Sequence, residues 1–228
     1  MEKSTYHVDN MRVSSLFEQG NTMAWKYLAG LDWPWEALPL ISFYVQELGT
    51  GLDSSEYEAR PNNVWIHKTA TVESSVYIGS DIIVGANAML AHCAYVRGPA
   101  IIGDGAFVGN STEVKNAILF DGVMIPHFNY VGDSILGYKS HMGAGVITSN
   151  VKSDSSLVSV SVGEKRLKTD LKKFGAVLGD NVEVGCNAVL NPGTVVGSNA
   201  TVYPLSMVRG FVPSGSIYKK QGEVVEKR

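Results

Sequence analysis

Cysteine is nearly missing from this sequence: Cys93 and Cys186 are the only two in 228 residues, and neither belongs to a CxxC pair. Two are too few for a disulfide scaffold, and a reducing compartment is the simpler expectation. No apolar run approaches the eighteen or so residues of a membrane-spanning helix. The first residues, "MEKSTYHVDN", lack the charged-then-apolar order of a signal peptide. Strong charge of one sign is absent too. A formal net charge of −3 leaves no electrostatic footprint for nucleic acid or an anionic membrane. These gaps predict a soluble, cytoplasmic, globular chain with no nucleic-acid partner and no membrane partner.

Glycine is scarce only at the start. Residues 1–60 hold four of the twenty-four glycines, three of the four tryptophans, and nine acids against four bases. Leu16, Met23, Tyr27 and Leu31 suit one helix, and Trp35, Leu38, Ile41, Val45 and Leu48 a second. Pro34 fits the first turn of that second helix, where a missing N–H loses nothing. The expectation is a short N-terminal helical arm over 1–60 that covers an end or flank of the main domain at 61–228.

From Ile66 the pattern changes. Ile66, Val72, Ile78, Val84, Leu90, Val96, Ile102, Val108, Val114 and Phe120 stand six residues apart, often followed by glycine. Four residues after each comes a small or β-branched side chain, such as Ala70, Val76, Ile82 and Ala88. No α-helix keeps a six-residue beat on one face, and a flat sheet repeats every two. A solenoid of short strands does keep it, one aliphatic inward per hexad. The beat resumes at Leu178, Val184, Leu190, Val196, Val202 and Val208. Between the two runs lie a stumble at "MIPHFNYVGD" (124–133) and a basic insert at about 150–174. In this the chain resembles the hexapeptide-repeat transferases. The resemblance implies an all-β fold, a left-handed parallel β-helix of triangular section in which three hexads make one coil.

An eighteen-residue coil stacks residues eighteen apart at about 4.8 Å. Arg97 and Lys115 are such a pair. Two cations about 5 Å apart repel by roughly 3 kcal/mol at a surface-like dielectric. They are either two solvated charges splaying apart or an anion clamp, a planar fork beside a point charge. His127, after Pro126 at the stumble, comes within about one coil, with Asn129 and Tyr130 beside it. A histidine, with a pKa near about 6.5, can take a proton from an attacking amine. The insert carries Lys165, Arg166, Lys168, Lys172 and Lys173 against Glu164 and Asp170. It reads either as a solvated loop or as a lid bringing a further lysine to a phosphate.

The stretch from "RGPAIIGDGAFVGNSTEVK" to "HMGAGVITSN" resembles the acetyltransferase half of the bifunctional N-acetylglucosamine-1-phosphate uridylyltransferase/glucosamine-1-phosphate acetyltransferases. The stretch "GEKRLKTDLKKFGAVLGDNVEVGCNAVLNPGT" is similar to the archaeal-type sugar-1-phosphate nucleotidylyl/acetyltransferases. The likeness covers roughly residues 65–212. It implies His127 as catalytic base, with Arg97, Lys115 and Tyr130 on the sugar phosphate. A further phosphate lysine falls on Lys173, counting back from Gly179, or on Lys172. Glu113 would hold a sugar hydroxyl or the amine. Ala144, Asn150, Cys186 and Pro204 would contact acetyl-CoA, the co-substrate. His141 stands where the bacterial enzymes place a substrate-touching asparagine. Cys186 replaces a serine, Pro204 an alanine, and Val151 an aromatic residue.

The resemblance further implies acetyl transfer from acetyl-CoA to the nitrogen of an amino-sugar 1-phosphate, most simply glucosamine 1-phosphate, in a homotrimer and with no metal. Nucleotidyl transfer is not expected, because residues 1–60 cannot replace a nucleotide-binding domain. The alternative is a non-catalytic sugar-phosphate-binding module of the same fold. The zinc site of the gamma-class carbonic anhydrases needs histidines five apart plus one two coils away. His92, His127 and His141 do not supply that spacing.

Overall fold

The computed structural model describes residues 6–227. From Val64 onward most hexads form a strand of two to four residues that ends on or just past its aliphatic and then turns a corner. Three hexads close a coil, and equivalent strands of successive coils pair in parallel. Ile82–Val84 lies on Ala100–Ile102, Tyr77–Ile78 on Tyr95–Val96, and Met89–Leu90 on Phe107–Asn110. These three ladders are the sides of a β-helix, called here the covered side, the tyrosine side and the third side. The hexad aliphatics Val84, Leu90, Val96, Ile102, Val108 and Val114 all point inward and are fully buried. Corners need left-handed backbone, which Asn87, Asn181, Asn187 and Asn199 provide at φ between 55° and 60°. The body is all-β, the hexapeptide β-helix that the resemblance implies.

The beat fails earlier than the sequence suggests. Val96 still pairs with Val114, eighteen residues on, but Ala100 pairs with Ala117, seventeen on. One residue is therefore lost between Val114 and Ala117. A second goes between Val131 and Ser134, because Ala117 pairs with Ser134, again seventeen on. His127 itself sits in ordinary register opposite Asn110, so the fault is not at the histidine. Phe120 is out of phase as well, since Leu119 takes the inward place beside Ile102. The two skipped corners are spanned by the long strands Glu113–Leu119 and Tyr130–Leu136. The insert leaves from the same corner, after Thr148.

The arm is less helical than expected. Val13–Leu16 and Trp25–Leu28 are single turns, separated by bends around Gly20, where one longer helix is expected. The reason is docking. Leu16 gives its carbonyl to Asp180 N at 3.0 Å and to Ser198 Oγ at 2.8 Å, so it is not free to continue a helix. Pro34 does open a helical segment, but Pro34–Leu40 is 3₁₀, with Glu36 accepting from Trp33 N at 2.9 Å. The α-helix comes next, at Ile41–Gly49.

The arm lies along the covered side and buries its outer column. Ile83, Ile101, Ile118, Ile135, Val177 and Val195 face outward from the coils yet are all fully buried. At about 1.5–3 kcal/mol per buried aliphatic, this column anchors the arm. Phe120 stands at a corner where other coils have Gly103 or Gly137, and its ring meets Phe17 at 4.7 Å. Within the insert, Ser159–Val162 and Lys165–Lys168 form an antiparallel hairpin rather than an open loop. No helix among the described residues is long and apolar enough to cross a membrane.

Candidate active site

The two skipped corners build the centre of the site. Losing a residue there stacks Asn116 on Asp133, both in left-handed backbone, and Asn150 lies one coil on. Asp133 is 4% exposed. Its carboxylate accepts from Lys115 Nζ at 2.9 Å, from Asn116 Nδ2 at 2.9 Å and from Asn150 Nδ2. Asn116 also donates to the Leu38 carbonyl at 3.1 Å, which ties the arm to this corner. A buried carboxylate needs such donors, and three of them hold it fixed.

Tyr130 folds over the same corner. Its hydroxyl accepts from Asn150 Nδ2 at 3.2 Å. A Cβ on Gly132 would meet that hydroxyl at 2.5 Å, so only glycine fits beneath it. Burial pushes the Tyr130 phenol pKa up, and the nearby Glu113 and Asp133 carboxylates add to that. Arg97 Nη1 donates to Glu113 Oε1 at 2.9 Å, which raises the guanidinium pKa further. The stacked cations therefore do not face each other bare. Each has its own carboxylate, Glu113 for Arg97 and Asp133 for Lys115. Lys172 and Lys173 are exposed beside this corner, because Phe174 N donates to the Asn150 carbonyl at 2.9 Å.

His127 occupies the opposite edge of the tyrosine side. Its N–H donates to Asn129 Oδ1 at 3.1 Å, and buried Asn129 donates to the Gly143 carbonyl at 2.8 Å. The exposed ring is thus carried on a locked turn, with Phe128 at its tip in left-handed backbone. Along this edge one column runs His127, Ala144, Cys186, Pro204, one coil per step. The backbone bonds Gly145 N to His127 O, Asn187 N to Ala144 O and Leu205 N to Cys186 O set that register. The edge lies roughly 10 Å from the lysine corner, about three residues of strand.

Of the residues expected at the site, Arg97, Glu113, Lys115, Tyr130 and Asn150 come together, with Lys172 and Lys173 alongside. His127, Ala144, Cys186 and Pro204 form the edge column. Asn150, expected with the latter group, sits in the former. His141 joins neither: it lies on the third side, its Nδ1 2.8 Å from Glu183 Oε2. Asp133 and Asn116 are not among the expected residues. The signal for them is the spacing Asn116, Asp133, Asn150, seventeen residues each, invisible to a count in eighteens.

Residues 175–210 match the family described as bacterial transferase hexapeptide (six repeats). The chain carries a hexapeptide-repeat domain. This hexapeptide-repeat chain is 32% identical over 202 residues to the bifunctional protein GlmU of Methanococcus vannielii, covering 86% of itself and 48% of that protein. It is 31% identical over 176 residues to a bifunctional sugar-1-phosphate nucleotidylyltransferase/acetyltransferase of Sulfurisphaera tokodaii, covering 77% and 43%. The uncharacterized acetyltransferase YaiX of Escherichia coli is 28% identical over 206 residues, covering 82% and 87%. The chain thus spans about half the length of the first two relatives.

Proposed function

We propose that the chain transfers an acetyl group from acetyl-CoA to the nitrogen of an amino-sugar 1-phosphate, with glucosamine 1-phosphate as the simplest substrate. The observation that carries this reading is the tyrosine side itself. One edge presents His127 above Ala144, Cys186 and Pro204, and the other presents a fixed lysine, an arginine and two unpaired lysines. A thioester lying along the first edge and a phosphate held at the second would bring the sugar amine between them. The names of the relatives, sugar-1-phosphate nucleotidylyltransferase/acetyltransferase among them, support the same chemistry.

The neutral amine attacks the thioester carbonyl and forms the C–N bond, while the His127 imidazole takes the amine proton. The tetrahedral intermediate then expels the CoA thiolate, which the imidazolium can reprotonate. Backbone donors near Ala144 would stabilise the oxyanion. The Arg97–Glu113 pair is exposed, so the guanidinium can turn to a phosphate at little cost. Lys172 and Lys173 supply the net positive charge that the two compensated cations do not. A homotrimer would set each His127 edge against a neighbour. The exposed Phe128, Ile147, Leu205 and Met207 support that packing.

A CoA-release assay over a panel of amino-sugar phosphates tests the reading. Turnover is expected with an amino-sugar 1-phosphate and is expected to fall by about 10²–10⁴-fold in His127→Ala. Intact turnover in that variant overturns the mechanism. Sugar-phosphate binding without acetyl-CoA binding would make the chain a binding module.

A further inference from the structure

The hairpin in the insert is docked, not loose. Along its first strand, counting from Val158, burial alternates: Val158, Val160 and Val162 are buried, while Ser159 and Ser161 point the other way and are only partly buried. The strand lies directly on two successive corners. A Cβ on Gly210 would meet the Ser161 carbonyl at 2.5 Å, and one on Gly193 the Ser159 carbonyl at 2.9 Å. Across the hairpin, Arg166 pairs with Ser161, so the guanidinium and the hydroxyls share a face.

That face closes a cleft of 480 Å³ against the solenoid, lined by Ser149, Lys152, Ser159, Ser161, Arg166 and Arg209 among others. Asp154 is its sole carboxylate against three cations. Lys152 is held by the loop, through Ser156 Oγ and Asp154 Oδ2, the latter at 3.8 Å. The two arginines are not held. Among the described residues Arg12, Arg60 and Arg97 each engage a carboxylate. The Arg166 side chain makes no hydrogen bond or ion pair, and that of Arg209 has only a long bond to Asn191 Oδ1 at 3.4 Å. Both uncompensated guanidiniums therefore line one hydroxyl-rich cleft.

We infer that this cleft is a second anion site, built for a nucleotide bearing two or more phosphates. Two guanidinium forks with serine hydroxyls between them match phosphate oxygens bidentately. The volume is within the range of roughly 300–1,000 Å³ of small-molecule sites, more than a lone phosphate needs. The cleft adjoins the lysine corner at Ser149 and Val151, the neighbours of Asn150, and runs away from it. In the column Lys115, Gly132, Ser149, Asn191, Arg209, the cleft begins two ladder steps and ends four steps beyond Lys115, roughly 10–19 Å away. A single sugar phosphate held at Lys115 does not reach Arg209, four steps away. The inference does not depend on the acetyl-transfer reading. The ligand's phosphates could belong to the nucleotide end of CoA or to a separate nucleoside diphosphate.

Calorimetric titration of the full chain with inorganic pyrophosphate, CoA and uridine diphosphate tests this. Pyrophosphate is expected to bind, to weaken with added salt, and to bind about tenfold or more weakly in Arg166→Ala/Arg209→Ala. Both side chains are exposed, and an unchanged thermal midpoint would establish that the variant is folded. A loss confined to CoA assigns the site to the co-substrate, and a loss confined to uridine diphosphate assigns it to a separate nucleotide. Losing both shows a site that reads phosphates alone. His127→Ala should bind pyrophosphate as the parent does, which separates this test from that of acetyl transfer. No pyrophosphate binding, or equal binding in the double variant, overturns the inference.

Discussion

The covered side and the tyrosine side are built from the same hexad, yet one is interior and the other is surface. The difference lies in the residue just before each inward aliphatic. On the covered side it is Ile83, Ile101, Ile118, Ile135, Val177 or Val195, all fully buried under the arm. On the tyrosine side it includes Tyr77, Tyr95, Ile147 and Met207, at 58%, 41%, 40% and 52% exposure. The inward residues only hold the coil together, and the outward column decides what each side meets. The covered side meets the chain's own N-terminal segment, which leaves the tyrosine side and its two edges free for a ligand or another subunit.

The comparison breaks most sharply under the same substitution on both sides. Ile118→Asp should cost at least about 4 kcal/mol, because a carboxylate would be buried against the arm with no donor. Urea unfolding should show loss of the cooperative transition or an insoluble chain. Tyr95→Asp should stay within about 0.5 kcal/mol of the parent, as an exposed site does. Equal effects would mean that the arm does not cover the side in solution.

Two phenylalanines make the next pair. Phe120→Gly restores the glycine that neighbouring corners carry, yet it should cost about 3 kcal/mol by emptying the contact with Phe17. Phe128→Gly, at a left-handed position and 63% exposed, should change stability by under about 1 kcal/mol. Thermal unfolding of the two variants side by side reads the difference. Two ion pairs on the tyrosine side repeat the contrast more gently. Asp133→Ala leaves the Lys115 ammonium, 21% exposed, without its carboxylate and should cost about 2 kcal/mol. Glu113→Ala should leave the unfolding midpoint where it is, because both partners of its pair are exposed enough for water to replace the bond.

The six-residue beat made the solenoid legible, because an inward aliphatic every hexad is a constraint no other architecture imposes. The covered side was legible in principle too. "IIVG", "AIIG", "SILG" and "AVLG" each carry an extra outward aliphatic that "YIGS" and "YVRG" lack. The arm's broken helices were not, since Leu16 surrenders its carbonyl to Asp180 and Ser198, residues more than 160 positions away. At the candidate site the individual residues could be named, but their grouping could not. Two lost residues, at Asn116 and at Asp133, moved the fault away from His127 and drew Asn150 to Asp133. A skipped corner leaves no mark in composition, and its seventeen-residue spacing acquires a meaning only once the pairing register is known.

A smaller loss than those at Ile118, Phe120 and Asp133 is expected at the seam where the arm crosses a corner of the covered side. Asp121 donates its N–H to the Asn21 carbonyl at 3.0 Å, and its Oδ1 accepts from Asp104 N at 2.8 Å. Burial outweighs that bond and, with the Asp104 carboxylate near, raises the Asp121 pKa from 3.8 to about 6. A carboxyl with a raised pKa favours the folded state when protonated, so its ionisation costs stability as pH rises from about 4 to about 6. Two pH units at 1.36 kcal/mol each is an upper bound, and partial exposure leaves about 1 kcal/mol. Asp121→Asn keeps the acceptor for Asp104 N and removes the charge. It should therefore be more stable than the parent at pH 7, and the two should converge near pH 4. Urea midpoints measured between those values read this directly. A difference that stays constant with pH would mean the seam is wet and the arm sits more loosely on this corner than on the isoleucine column.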